Sequence, residues 1–214
     1  MVYDDAVKSP RPGVLVLHEW WGHGPYVRRR AEQLAKLGYI AFAADLYGKG
    51  VYAKTHEEAG KLSGALREDR KLMRSRALAG LEVLKKNSLT DTNRLAAIGY
   101  CFGGTAALEL ARDATALAGV VSFHGGLDTP HPETTGPVKA KILALVGAED
   151  KFITAGIPAF EDEMRKALAD WQLVLYGSAV HSFTVREAGN NPSTGMAYNE
   201  AADRRSWQAM RDFF

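Results

Sequence analysis

The six residues Gly99-Tyr100-Cys101-Phe102-Gly103-Gly104 constrain this chain more than any other stretch. An apolar run, Arg94 to Ile98, leads into them, and an alanine-rich helical pattern, Thr105 to Ala111, leads away. A strand that becomes a helix within so few residues presses the side chains two positions either side of its apex against neighbouring backbone. Glycine at 99 and 103 relieves that clash. The apex residue is Cys101, the single cysteine of the chain. Strand, sharp turn and helix around a nucleophilic side chain is the context of a nucleophile elbow. The competing reading is a buried thiol packed at a strand end as a small core hydrophobe.

The rest of the chain repeats the strand-then-helix pattern. Residues 13–17, Gly-Val-Leu-Val-Leu, read as a strand buried on both faces, and 39–44, 94–100, 117–123, 142–146 and 172–176 read likewise. Val27, Ala31 and Leu34 follow helical spacing between Pro25 and a terminating Gly38. Leu62, Leu66, Met73, Ala77, Leu81 and Leu84 mark a long amphipathic helical region, broken near Gly64, with Thr55 and Glu58 as a capping box before it. Helices are also expected over 157–169 and 201–214, where Trp207, Met210 and Phe214 share a face. Residues 45–50, 87–93 and 127–137 read as loops, and 189–195 as irregular. This alternation predicts an α/β fold: a mainly parallel sheet of about six strands with helices on both faces, in one domain spanning 1–214.

Composition narrows the class. The chain has 214 residues, 46% hydrophobic and 24% charged, enough for one domain with a sizeable core. A net charge of +2 gives no reason to expect nucleic acid or an acidic membrane as partner. Arg28-Arg29-Arg30 and Lys85-Lys86 fall in helical patterns and read as solvated faces. A single cysteine forms no internal disulfide and suits a reducing compartment. No apolar run approaches a membrane span, and residues 1–12 carry no signal-peptide core. A cytoplasmic protein, monomer or homodimer, acting on a small molecule is the expectation.

In open α/β sheets reactive groups gather at the carboxyl ends of the strands, where strand order reverses. Those ends carry Glu19 and Trp20, Asp45, Cys101, His124, Asp150 and His181. Cys101, Asp150 and His181 follow the order nucleophile, acid, base used by α/β-hydrolases. His181 is suited to take the thiol proton and stand as imidazolium beside a thiolate. Asp150 would fix its tautomer and stabilise its charge. The N–H of Phe102, at the positive end of the elbow helix, and the N–H of Trp20, after the first strand, are the expected oxyanion donors. His18, Glu19, His23 and His124 lack H-E-x-x-H or H-x-H spacing, so no metal and no cofactor is expected.

The motifs His18-Glu19-Trp20-Trp21-Gly22, Gly99-Tyr100-Cys101-Phe102-Gly103-Gly104, Ser122-Phe123-His124-Gly125-Gly126, Gly147-x-x-Asp150 and His181-Ser182-Phe183 together make the chain resemble the dienelactone hydrolase family. The resemblance runs from the first strand almost to the C-terminus. It implies an α/β-hydrolase fold, hydrolysis of esters and lactones, and triad roles for Cys101, Asp150 and His181. It also implies that Glu19 lies near the resting thiol and helps generate the thiolate once substrate binds, holding the nucleophile in reserve until then. Two departures stand out. The family's best-known members carry an arginine four residues after the triad histidine, where this chain has Val185, with Arg186 out of register by one. Arg67, Arg70 and Arg74 are further candidates for an anionic substrate group. The antiparallel hairpin with which such relatives open is missing here, since residues 1–12 are short and broken by Pro10 and Pro12.

The sequence thus leads to a hydrolase of small esters or lactones working through a thioester on Cys101. Trp21, Tyr100, His124 and Arg186 are expected to meet the substrate; the alternatives are plain core packing for Trp20, Trp21, Tyr100 and Phe102 and hydrogen-bonded turn roles for His18 and His124. The alternatives are a thiol redox or sensor protein using Cys101, for which the chain holds no resolving thiol, and a non-catalytic binder of small ligands.

Overall fold

The computed structural model describes residues 1–4, 6 and 8–214. Six parallel strands, β1 (Arg11–Leu17), β2 (Ile40–Ala44), β3 (Thr90–Tyr100), β4 (Gly119–Phe123), β5 (Lys141–Gly147) and β6 (Trp171–Tyr176), form one sheet in the order β2-β1-β3-β4-β5-β6. Six α-helices connect or flank them: α1 (Pro25–Lys36), α2 (His56–Glu68), α3 (Arg70–Lys85), α4 (Phe102–Arg112), α5 (Ile157–Lys166) and α6 (Glu200–Phe213). The chain leaves β1 in one direction to build β2 and returns to build β3 on its other side. The strand order therefore reverses between β1 and β3, and Leu17 pairs with Gly99 at the carboxyl end of that junction.

Alternating side chains divide the core in two. On β1, Leu15 and Leu17 join the cluster under α2, α3, α4 and α5, while Val14 and Val16 join the cluster under α1 and α6. Both faces of the sheet are covered, which is why its strands are near-continuous apolar runs. No helix among the described residues is long and apolar enough to cross a membrane.

Several boundaries differ from expectation. The long helical region breaks at Asp69, not near Gly64, which sits inside α2. Asp69 leaves helical geometry, and its side chain accepts from Leu72 N–H to cap α3. Strand β3 begins at Thr90 inside the expected 87–93 loop, because Arg11 and Pro12 pair with Thr90 and Asp91 before a register shift. Pro12 is tolerated in β1 because β2 pairs only from Gly13 onward, so its missing N–H faces no partner strand. The capping box is offset: Thr55 accepts from Glu58 N–H at 3.2 Å, while the Glu58 carboxylate reaches Lys54 N–H at 2.7 Å. No hairpin precedes β1 among the described residues, although Val2 forms an antiparallel bridge to Ala41 on the outer edge of β2. The part of the hairpin expectation that concerns Asp5 and Val7 lies outside the described residues.

Candidate active site

The turn between β3 and α4 shows why its glycines are needed. A Cβ on Gly99 would stand 1.9 Å from the Gly103 carbonyl oxygen, and one on Gly103 would stand 2.3 Å from the Leu17 carbonyl oxygen. Neither contact is physically possible, so the turn closes on itself only with glycine at 99 and packs against the end of β1 only with glycine at 103. Cys101 itself has φ 51° and ψ −116°. A non-glycine residue in that region costs on the order of 1–3 kcal/mol, which the surrounding packing must offset. The strain turns the Cys101 side chain out of the strand line at the first turn of α4.

Three side chains from distant parts of the chain meet there. His181 Nε2 lies 3.1 Å from Cys101 Sγ, and His181 Nδ1 lies 2.7 Å from Asp150 Oδ2. Asp150 is fully buried, and its other oxygen accepts from Phe152 N–H at 3.0 Å. Burial alone pulls the His181 pKa down. Negative charge on Cys101 and the hydrogen bond to Asp150 outweigh it and raise the pKa to about 10. The geometry favours an imidazolium, with the sulfur on one side and a carboxylate on the other.

Glu19 follows β1 at 5% exposure. Burial raises its pKa to about 7, against the opposing effects of the His181 charge, Arg30 and a hydrogen bond from Ser182. Its side chain thus belongs to the surroundings of His181 and Ser182. Among the described residues it makes no hydrogen bond to Cys101, whose sulfur is already engaged by His181. The sulfur's hydrogen-bond partner in this structure is the histidine, with Glu19 beside that histidine. Trp20, next in the chain, packs against the cluster that contains Cys101, and its carbonyl accepts from Tyr47 Oη at 2.9 Å. Phe102 opens α4, and the first amides of a helix have no partner within it.

Burial and strand parity place three of the expected substrate contacts away from the sulfur. Tyr100 precedes Cys101 and so points to the opposite face of the sheet. It is fully buried there, stacked on Phe123 at 4.7 Å, with the Arg30 guanidinium 5.4 Å from its ring. His124 is also fully buried, with Nε2 2.7 Å from Thr184 Oγ1 and its ring edge-on to His181 at 5.3 Å. It lies behind the histidine and shows no surface to solvent. Arg186 covers the Tyr198 ring at 5.5 Å and lines a cavity of about 290 Å³ shared with Tyr26, Arg30 and Glu187, whose walls do not include Cys101. Trp21 stays half-buried in an aromatic group with Trp20 and His56.

Other residues at the site carried too little sequence signal to be singled out. Phe152, 67% exposed, stands edge-on to His181 at 5.8 Å. Its position two residues after Asp150 was the available clue. Tyr47, in the loop that ends β2, lies close enough to Cys101 for the sulfur's charge to help raise its pKa, after burial. Of the three candidate arginines, Arg70 pairs with Asp128 and Glu109, and Arg74 with Glu109 and Asp113. Arg67 makes no ion pair among the described residues. It lies over the Phe102 ring at 5.7 Å, with Nη1 3.4 Å from Thr105 Oγ1.

Comparison with known proteins agrees with this architecture. The model of the dienelactone hydrolase family matches residues 2–214. A solved protein named m3DLH is 41% identical, with TM-score 0.93 over 98% of this chain and 88% of its own. The dienelactone hydrolase-like promiscuous phosphotriesterase P91, from metagenomic libraries, is 36% identical, with TM-score 0.92 over 99% of this chain and 88% of its own. The dienelactone hydrolase of Anabaena variabilis is 26% identical, with TM-score 0.64 over 95% of this chain and 88% of its own.

Proposed function

This chain belongs to the dienelactone hydrolase family and is a carboxylic ester or lactone hydrolase; from that premise we propose that it works through a thioester on Cys101. The observation that carries this reading is the continuous relay from Cys101 Sγ through His181 to Asp150, at 3.1 and 2.7 Å, with the sulfur at the apex of a strained turn.

The thiolate of Cys101 attacks the substrate carbonyl carbon, and the electron pair moves to oxygen. The N–H groups of Phe102 and Trp20 bind that oxyanion. His181 gives its Nε2 proton to the departing alkoxide as the carbon–oxygen bond breaks, leaving a thioester. A water then loses a proton to His181 and attacks the thioester, and the carboxylic acid leaves as the thiolate re-forms. Asp150 keeps the imidazole in the right tautomer and stabilises its positive charge. Glu19 is the thiol activator: its carboxylate, buried beside His181, favours the protonated imidazole and so the thiolate. Phe152, Trp20 and Trp21 offer aromatic surface to the acyl or leaving group, and Arg67 is the cation best placed at the elbow for an anionic substrate.

Hydrolysis of a small aryl ester by the wild type and by Cys101→Ala tests the reading. Turnover should be lost in the variant, and mass spectrometry of quenched wild type should find one acyl group on Cys101. Equal turnover in both would remove Cys101 from the mechanism.

A second reading is favoured by the P91 phosphotriesterase, which matches 99% of this chain. The same thiolate would attack phosphorus in an aryl dialkyl phosphate and release the aryl oxide. Release of nitrophenol from such a triester, absent in Cys101→Ala, supports it; none from the wild type rules it out.

A further inference from the structure

The carbonyl of Glu19 is held from two sides. His18 Nδ1 lies 2.5 Å from its oxygen, and Gly22 N–H donates to the same oxygen at 3.2 Å. The position of the proton on His18 follows from its other nitrogen. Leu46 N–H donates to His18 Nε2 at 3.0 Å, so Nε2 is the bare nitrogen and Nδ1–H is the donor to Glu19. His18 is fully buried, with its ring edge-on to Tyr47 at 4.8 Å.

The next two carbonyls are held as well. Tyr47 Oη donates to the Trp20 carbonyl and Ala53 N–H to the Trp21 carbonyl, each at 2.9 Å. By contrast, the Trp20 N–H finds no acceptor among the described residues. The Glu19–Trp20 peptide is trans, so its C=O and N–H point in opposite directions. Fastening the Glu19 carbonyl to His18 therefore aims the Trp20 N–H the other way. This peptide starts against the elbow, because the Leu17 and His18 carbonyl oxygens would lie 2.3 and 2.5 Å from a Cβ on Gly103.

We infer that His18 is a positioning residue: it clamps the Glu19 carbonyl and so presents the Trp20 N–H as an oxyanion donor before substrate arrives. The inference rests on the proposed oxyanion hole and deepens it. Without His18 only the longer Gly22 N–H bond, at 3.2 Å, holds the Glu19 carbonyl, so this peptide rotates more easily and can bring a carbonyl oxygen toward developing negative charge, which repels where the N–H attracts. His18 need not touch the substrate for this. Its effect falls on the transition state, and so on kcat rather than KM.

The test compares wild type, His18→Asn, His18→Gln and Cys101→Ala on a small aryl ester. Asparagine places an amide N–H near the position of Nδ1 and keeps the clamp. Glutamine extends an amide oxygen toward the position of Nε2 and keeps only the partner of Leu46. The glutamine variant should lose about 10- to 100-fold in kcat, with KM changed less than about twofold. The asparagine variant should stay within about fivefold of wild type. If the glutamine variant does not fold, His18→Phe, which keeps a ring and lacks both nitrogens, takes its place with the same expectation. Equal losses in the clamp-keeping and clamp-lacking variants, a loss confined to KM, or no loss in either overturns the role of His18. Cys101→Ala separates this from the reading beneath it. Wild-type turnover without the thiol overturns the proposed chemistry, whereas an inactive Cys101→Ala beside position-18 variants that break the expected order overturns the clamp alone.

Discussion

His124 and His181 follow two strands of one sheet, their rings 5.3 Å apart, and both are buried. Their protonation is nevertheless driven in opposite directions. Burial holds the His124 pKa well below 6.5, and the neighbouring His181 charge lowers it further. His181 meets the same cost of burial, yet its pKa is raised to about 10 by the sulfur and by Asp150. The difference lies in what each ring faces. His124 meets the hydroxyl of Thr184, which itself contacts Tyr26 Oη at 2.6 Å, and no carboxylate bonds to it among the described residues. His181 has an acid on one nitrogen and a thiol on the other. Burial disfavours the charged ring in both, so it prevails where no acid faces the ring and is overturned where a carboxylate and a sulfur do.

The largest expected effect comes from removing what makes His181 the charged ring. Asp150→Asn should lower kcat by about 10³- to 10⁴-fold, since the tautomer and the imidazolium both lose their support. Steady-state kinetics on a folded variant measures this, and a loss below tenfold would break the comparison. Next is the sulfur's share. In Cys101→Ala the His181 pKa, followed by NMR, should fall by about 1–3 pH units while staying above that of His124. A titration unchanged from the wild type would mean that Asp150 alone holds the proton. Glu19→Gln should move the same titration downward by less, because the Glu19 charge is only one of several near His181.

Stability should respond at opposite ends of the pH range. The folded pKa of His181 lies above its unfolded value of 6.5, so its contribution is full below 6.5 and is lost as pH rises toward about 10. The folded pKa of His124 is depressed, so its contribution is full above 6.5 and is lost as pH falls below it, where the unfolded chain takes up a proton that the folded one refuses. Chemical unfolding across pH should therefore show His124→Phe flattening the acid side and Asp150→Asn flattening the alkaline side. The smallest effect belongs to Thr184→Val, which leaves His124 Nε2 without its partner. It should cost about 1–3 kcal/mol of stability with little change in kcat.

Much of the fold was legible because it depends on local spacing. Continuous apolar runs separated by helical periodicity require a parallel sheet covered on both faces, and the glycines at 99 and 103 mark where a strand turns abruptly into a helix. The helix break at Asp69 was less legible, because an aspartate is a cap only where the backbone has already left helical geometry. At the site, chain order and strand ends picked out Cys101, Asp150 and His181, and the folded chain brings them within hydrogen-bonding distance. From sequence, Tyr100 reads equally as pocket lining or core, and His124 as a substrate contact or a hydrogen-bonded turn histidine. Strand parity sends Tyr100 to the face opposite its neighbour, and packing seals His124 behind His181.

By itself, then, the sequence determined the layered α/β architecture, the site of the elbow and the residue types available for chemistry, since these follow from periodicity and from steric limits within a few residues. Tertiary structure alone decided which side chains share a face, that Cys101 meets His181 at hydrogen-bonding distance, that Arg67 stands at the elbow while Arg186 lies elsewhere, and which nitrogen of His18 carries its proton. Those outcomes depend on contacts between residues far apart in the chain, Leu46 with His18 and Cys101 with His181 among them, and their distances exist only once the sheet has closed around its switch point.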